Sequence, residues 1–317
     1  MSLNQQKKIS PAIPSLDKAD QPEIHYLPTP AEFDFNQCLV YLGRSPKEIL
    51  HFIEGDTLRK LISVNGRLVL MALTSSSAGG IRIQILNEVA SKSTIQRVKA
   101  YVRHWFDLDA DLRPFYRLAE QDALLRELVR RYFGLRIIKI DDLFQALCWA
   151  ITGQQINLAF AYTLFQRFIR LYGAAYAFDG QPYWLFPTPA RIAGLTVVEL
   201  QQLQFSAAKA IYLIELAKHF ASREISRESL AALGDYEQAK AALLALRGVG
   251  PWTANYVMMR CAGYRCAFPI QDIGLHNAIK QQLRLTRKPS ILEIQKLAAG
   301  WHNWQAYATF YLYRSLL

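Results

Sequence analysis

Long apolar runs are missing from this 317-residue chain. No stretch approaches the ~20 apolar residues that a bilayer-spanning helix needs. The first twenty residues are polar and lack the apolar segment of a secretory leader. A cytoplasmic, nucleoid-associated protein is the expectation, with residues 1–22 a mobile lead-in. Cysteine is scarce. Cys38, Cys148, Cys261 and Cys266 make no disulfide framework, and the one close pair is a poor metal signal. Six histidines (His25, His51, His104, His219, His276 and His302) are scattered without ligand spacing, so no side-chain metal site is expected. Repeats of 20 to 50 residues are absent too, which excludes a solenoid. Acid is in deficit: 26 Asp and Glu face 37 Lys and Arg, a net charge of +11. That imbalance favours a polyanionic partner or an acidic membrane surface.

What is present is a globular composition, 51% hydrophobic and 20% charged, in a chain long enough for two or three domains. Residues 23–115 read as a small α+β domain with an antiparallel sheet. A short helix is expected from Asp34 to Leu42. Period-two runs from Thr57 to Val64, Arg67 to Thr74 and Ile81 to Leu86 predict strands, the first pair joined by the hairpin signal Asn65-Gly66. A helix from Lys92 to Phe106 carries Val98, Val102 and Trp105 on one face. From Pro114 onward the pattern is helical. Helices are expected over Asp122 to Tyr132, from Asp141-Asp142 to about Thr152, and over Leu158 to Tyr172. Tyr183 to Pro189 reads as an aromatic loop, followed by short helices up to Leu233.

The most informative stretch runs from Leu243 to Ile279. Two helical runs meet at Gly248-Val249-Gly250. Both glycines allow positive φ and close backbone approach. Pro251 sits where the second helix starts, a position that tolerates the missing N–H. The N–H groups of such a turn bind anions, and a phosphate is the natural anion for a basic chain. An ordinary αα-corner would use the same glycines. Asp272 follows a Pro-containing loop; before a helix, an Asp usually acts as N-cap, a duty compatible with catalysis. Trp252 and Tyr256, four apart, share a helix face.

Leu246 to Ala254 and Phe268 to Leu275 together resemble the helix–hairpin–helix and Gly/Pro-rich loop plus aspartate of the DNA glycosylase superfamily. Ala150 to Asn157 is similar to the Ala-Ile-x-Gly-Gln-x-x-Ser segment of its AlkA branch, the 3-methyladenine DNA glycosylases. Leu171-Tyr172-Gly173, Phe186 to Pro189 and Trp301 to Ala308 follow the same branch. The resemblance implies an α+β fold: the small sheet domain, then an all-helical glycosylase core. A helical domain would span 141–264 with the hairpin at 243–262, and residues 116–140 and 265–317 would form a second lobe across the cleft from it.

The resemblance further implies a monofunctional glycosylase that flips N-alkylated purines out of double-stranded DNA. Asp272 would be the catalytic residue. Trp252, Tyr256, Trp304 and Ile273 would form the base pocket, with π-faces suited to a cationic purine. Gly248, Val249, Gly250 and Thr253 would grip the backbone, and Gln155 or Ile156 would wedge into the duplex. Bifunctional relatives carry a Schiff-base lysine where Trp252 stands here, and the iron–sulfur cysteines of other relatives are absent. Departures from the branch are Gln155 in place of an apolar wedge, Ile273 in place of a tyrosine, and Gln305 in place of an arginine. No cofactor is implied beyond a monovalent cation on the backbone carbonyls of Leu246 and Val249, and a monomer is expected. Two alternatives stay open: a glycosylase for a neutral lesion such as hypoxanthine or a cyclic adduct, and a non-catalytic DNA-damage binder.

Overall fold

The computed structural model describes residues 23–76 and 79–317; the lead-in expected over 1–22 lies outside the described residues. The N-terminal part contains β1 (Ile24–Leu27), α1 (Phe35–Leu42), β2 (Phe52–Glu54), β3 (Thr57–Val64), β4 (Arg67–Ser75), β5 (Ile81–Ile85) and α2 (Lys92–Trp105). Its five strands form an antiparallel sheet in the order β1-β5-β4-β3-β2. The β3–β4 hairpin is its centre. Asn65 and Gly66 take φ of 52° and 77°, the left-handed pair that matches the twist of two strands. One face of the hairpin, with Leu58, Ile62, Val69 and Met71, joins the main core. The edge strands β1 and β2 carry no alternation long enough to read from sequence.

The helical part follows: α3 (Arg113–Gln121), α4 (Leu125–Arg131), α5 (Leu143–Gly153) and α6 (Leu158–Tyr172). The helix expected from Asp122 begins three residues later, because the Asp122 carboxylate caps the turn by accepting from the N–H groups of Leu124 and Leu125. A hairpin, β6 (Ala174–Phe178) and β7 (Gln181–Leu185), comes next. This corrects the expected loop: Tyr183 to Leu185 is strand. Its turn is Asp179-Gly180, again with both φ positive. Tyr183 covers Leu61 and Leu70 on the far face of β3 and β4, so an aromatic run that looks like a loop is the lid of a second small core. Then come α7 (Pro189–Ala193), α8 (Val197–Gln202), α9 (Ala207–Ala221), α10 (Arg227–Ala232), α11 (Tyr236–Leu244), α12 (Pro251–Val257), α13 (Ile273–Gln282), α14 (Ile291–Leu297) and α15 (Gln305–Arg314). A π-helical turn over Met258–Ala262 extends α12. Among the described residues, no helix is long and apolar enough to cross a membrane.

The sheet domain and the helices are stitched together by buried polar groups. Arg136 is fully buried and donates to the Glu32 carboxylate at 2.6 Å and to the carbonyls of Asp107 and Ala110. Tyr307 on α15 donates to Asp107 at 2.6 Å, and Tyr311 to the Leu135 carbonyl at 3.1 Å. Gly134 sits at this joint with φ of 83°, its carbonyl accepting from Asp34 N–H at 3.1 Å. A Cβ there would lie 2.2 Å from the Glu32 carbonyl oxygen. Gly134→Ala is therefore expected to destabilise the fold by about 2–5 kcal/mol, strain and overpacking combined. Denaturant unfolding checks this, and a loss below about 1 kcal/mol would show that the joint yields.

Candidate active site and nucleic-acid interface

Between α11 and α12 the hairpin turn has two different glycines. Gly248 has φ of 83°, and a Cβ there would fall 2.4 Å from the Tyr212 ring. Gly250 is extended, with φ of −95° and ψ of 179°, and a Cβ there would meet nothing within 4 Å. The expectation that both glycines serve positive φ thus holds for Gly248 only. The fold has no need of glycine at 250; what the missing side chain leaves clear is the outer surface. Among the described residues, the N–H groups of Gly248 and Gly250 have no backbone acceptor. They stand beside the N-terminus of α12, where the peptide dipoles favour an anion. The Val249 side chain is buried. Thr253 is also buried, and its hydroxyl accepts from Gln154 Nε2 at 2.9 Å. Its side chain therefore faces inward, and only its backbone belongs to the outer turn.

Gln154 fastens a second loop to the hairpin. Its Nε2 also donates to the Gly248 carbonyl at 2.8 Å. Lys209 on α9 donates to the carbonyls of Thr152 and Gln154, both at 2.7 Å. These bonds close the C-terminus of α5, whose last carbonyls would otherwise lack partners. The next residue, Gln155, is exposed in left-handed backbone with φ of 56°. Ile156 packs back against the core. Asn157 then caps α6, its side chain accepting from Phe160 N–H. Gln155 is thus the residue displayed at the tip.

Asp272 is held at both oxygens. Oδ1 accepts from the Leu275 N–H at 3.0 Å, capping α13, and Oδ2 accepts from Trp252 Nε1 at 2.7 Å. A Cβ on Gly274 would sit 2.9 Å from Oδ1 and 3.5 Å from the Tyr313 ring, so residue 274 has no room for a side chain. Burial, and then the charge of Asp272, push the Tyr313 phenol well above its usual range. Ile273 beside the acid is 60% exposed and lies on the outer surface.

The Trp252 ring stacks on Tyr256, with centroids 5.7 Å apart and planes at 29°. Behind Tyr256 lies a cavity of about 410 Å³ between the sheet domain and the helices, lined among others by Arg44, Trp149, Tyr162, Tyr256 and Arg260. Buried Arg260 orients two phenols, donating to Tyr41 at 2.7 Å and Tyr256 at 3.0 Å, while its Nε holds the Ile138 carbonyl. Trp304 lies apart from this cluster, packed on Phe115 and Tyr307 with Arg265 over its ring. Trp301 is fully buried and donates to Asp122 at 2.7 Å. Neither tryptophan contacts the acid, which corrects the placing of Trp304 in the pocket; both hold α15 to the α3–α4 segment. Among the described residues, no three His, Cys, Asp or Glu side chains converge on a metal site. Lys209, Arg44 and Arg260 were not singled out from sequence. For Arg260 a signal existed, since it follows Tyr256 by four residues on one helix.

A hairpin turn with free N–H groups, a displayed loop tip and a carboxylate clamped at both oxygens are parts that a base-excision enzyme would need. Residues 148–303 match the family model described as HhH-GPD superfamily base excision DNA repair protein, and residues 29–147 match the N-terminal domain of 8-oxoguanine DNA glycosylase. A DNA-3-methyladenine glycosylase of Bacillus subtilis is 42% identical over 90% of this chain and 95% of its own length. The structure of the 3-methyladenine DNA-glycosylase from Archaeoglobus fulgidus superposes with a TM-score of 0.74, at 22% identity over 92% of this chain and 97% of that one. The 8-oxoguanine glycosylase/lyase of Clostridium acetobutylicum, bound to double-stranded DNA, has the same fold, with a TM-score of 0.69 at 18% identity, covering 93% of this chain and 97% of that one. The chain belongs to the HhH-GPD superfamily, in its AlkA-type branch. It is a DNA glycosylase, and DNA is its substrate.

Two substitutions separate folding from DNA contact. Gly250→Ala should leave thermal stability within about 0.5 kcal/mol and weaken duplex binding, whereas Gly248→Ala should destabilise by about 2 kcal/mol or more. Equal stability losses at the two sites would contradict the assignment. Gln154→Leu strands the buried Thr253 hydroxyl and the Gly248 carbonyl. It should cost about 1–3 kcal/mol, read from denaturant curves, and unsettle the Gln155 tip.

Proposed function

We propose that the chain is a monofunctional glycosylase that removes N-alkylated purines, of the 3-methyladenine and 7-methylguanine type, from double-stranded DNA. The observation that carries this reading is the clamped carboxylate. Asp272 accepts one N–H from the α13 backbone and one from Trp252, so its orientation is fixed before the substrate arrives. As the glycosidic bond stretches, positive charge develops on the sugar, and a fixed carboxylate stabilises that charge without reorganising. An N-alkylated purine is already cationic and leaves with little acid assistance. Water then adds at the sugar carbon, oriented by the same carboxylate.

Strand cleavage needs an amine nucleophile. The hairpin position that would supply one holds Trp252, whose ring nitrogen is committed to Asp272. The hairpin N–H groups at Gly248 and Gly250 hold the phosphate backbone, with a monovalent cation at the carbonyls of Leu246 and Val249 completing the grip. Gln155 enters the gap left by the extruded nucleotide, since it is exposed at the tip while Ile156 is tied to the core. Tyr256 and Trp252 wall the base pocket. The enzyme acts as a monomer. The names of the Bacillus subtilis and Archaeoglobus fulgidus proteins, both 3-methyladenine glycosylases, support the lesion class.

The test is release of methylated bases from alkylated duplex DNA. Asp272→Asn keeps a capping oxygen but offers one acceptor to two donors, so it should fold with a small stability loss and release bases about 10²-fold more slowly or worse. Nicks should appear only after alkali. Nicking by the wild type without alkali would overturn the monofunctional reading. Undiminished release by Asp272→Asn would remove the carboxylate from the mechanism.

A further inference from the structure

The Tyr313 hydroxyl is idle in the free protein. Tyr313 lies near the end of α15, and its ring is half-buried. Its oxygen is closed to solvent and, among the described residues, has no hydrogen-bond partner. The surroundings are nevertheless polar. Asp272, Tyr256 and Tyr41 act on the phenol in that order, after burial itself. Phe310, three residues earlier, packs on the Tyr41 ring with centroids 4.4 Å apart and has the Arg260 guanidinium carbon 5.5 Å from its ring centre. This part of α15 therefore packs against the Arg260 cluster. Gly274 brings the phenol to the acid. A Cβ there would fall 2.9 Å from Asp272 Oδ1 and 3.5 Å from Tyr313 Cε1, so carboxylate and ring flank one missing side chain.

Buried polar groups in native proteins are nearly always hydrogen-bonded, so a hydroxyl left idle beside a functional group needs a reason. Its three neighbours differ as acceptors. The Tyr256 oxygen already receives N–H bonds from Trp149 at 2.9 Å and Arg260 at 3.0 Å, which fill its acceptor sites. The Tyr41 oxygen receives one from Arg260 and is neutral. Asp272 is a carboxylate with about four lone-pair sites, of which the Leu275 and Trp252 N–H groups take two. A charged acceptor also draws an O–H donor more strongly than a neutral phenol does.

We propose that Tyr313 is a positioning residue whose hydroxyl donates a third hydrogen bond to Asp272 in the DNA-loaded enzyme. The proposal rests on the base-release reading above. Catalytic hydrogen bonds are commonly long or misaligned in a free enzyme and tighten in the working complex. The Leu275 and Trp252 bonds hold each carboxylate oxygen at one point. A third donor fixes the tilt of the carboxylate plane, and with it the lone pair that meets the positive charge developing on the sugar. Burial and the charge of the acid both oppose loss of the phenol proton, so Tyr313 stays a donor. It touches neither base nor sugar in this role and acts through Asp272.

Single-turnover release of 7-methylguanine from duplex DNA, with spontaneous loss subtracted, tests this in the wild type, Tyr313→Phe, Asp272→Asn and the double variant. Tyr313→Phe removes only the hydroxyl, which has no partner in the free enzyme. Its thermal midpoint should therefore match the wild type, and its affinity for an abasic-site duplex should stay within about twofold. Release should slow on the order of tenfold, the scale of a hydrogen bond to a charged group. In the Asp272→Asn background the same substitution should change the rate by less than about twofold, because residues that act as one unit are not additive. An equal loss in both backgrounds would mean that Tyr313 acts independently of the acid and would overturn the proposal. So would an unchanged rate for Tyr313→Phe, or a lowered midpoint, which would place the bond of the hydroxyl in the free fold. No release by the wild type would instead overturn the base-release reading, and the positioning role with it.

Discussion

One carboxylate shared between two helical segments sets the geometry of the site. Asp272 caps α13 with one oxygen and accepts from Trp252 on α12 with the other. Helix α12, which follows the hairpin turn, and helix α13, which begins after the acid, are therefore joined by a hydrogen bond of 2.7 Å. A charge-assisted bond of that length tolerates little drift. The packing around it follows. Residue 274 must be small, because a side chain there would crowd Oδ1 and the Tyr313 ring. Tyr313 in turn belongs to α15, which is anchored through Tyr307 and Tyr311 to the segment around Asp107 and Leu135. The position of the acid is thus transmitted to the end of the chain.

The sheet domain takes part in the site through the same logic. Its helix α1 brings Tyr41 under Arg260 and is followed at once by Arg44 in the cavity wall. Gly134 and Arg136 fix that domain against the helices, Gly134 by accepting from Asp34 N–H and Arg136 by donating to the Glu32 carboxylate. The β6–β7 hairpin closes the outer face of β3 and β4 through Tyr183, and Trp184 to Pro189 continue into the cavity wall. The sheet domain therefore shapes the cavity behind Tyr256 together with the helices.

How far the sequence revealed this depended on whether a local signal carried the information. β3 is found over the residues expected, because alternation and Asn65-Gly66 are local facts about the chain. So is α6, where Asn157 supplies the cap and Gly173 the stop. The β6–β7 hairpin escaped although Asp179-Gly180 is the same kind of turn signal; the aromatics after it suggested a loop because their burial partner, β3, lies over a hundred residues away. At the site, motif spacing singled out Asp272, Trp252 and the hairpin glycines. It did not distinguish Gly248, locked by Tyr212 and its own φ, from Gly250, which the fold leaves open. Arg44 and Lys209 escaped because their roles arise from long-range contacts. Trp304 shows the reverse failure: a tryptophan in a recognisable run settled into a structural cluster with Phe115 and Tyr307.

Arg260 shows why a buried charge persists in such a pocket. Removing a guanidinium from water is costly, and a hydrophobic replacement often gives a fold of equal stability. Three acceptors offset part of that cost here: the Ile138 carbonyl and the hydroxyls of Tyr41 and Tyr256. The π-helical turn that contains Arg260 places its carbonyl against Ile140 N–H at 2.6 Å, so backbone and side chain are both held. A residue fixed this firmly does not move toward a substrate. It acts on what is near it, by donating to the Tyr41 and Tyr256 oxygens. An apolar side chain at 260 could fill the volume, but it would leave the Ile138 carbonyl and the Tyr41 and Tyr256 oxygens without this donor. The buried arginine is better understood as the group that orients the Tyr41 and Tyr256 phenols than as a source of stability.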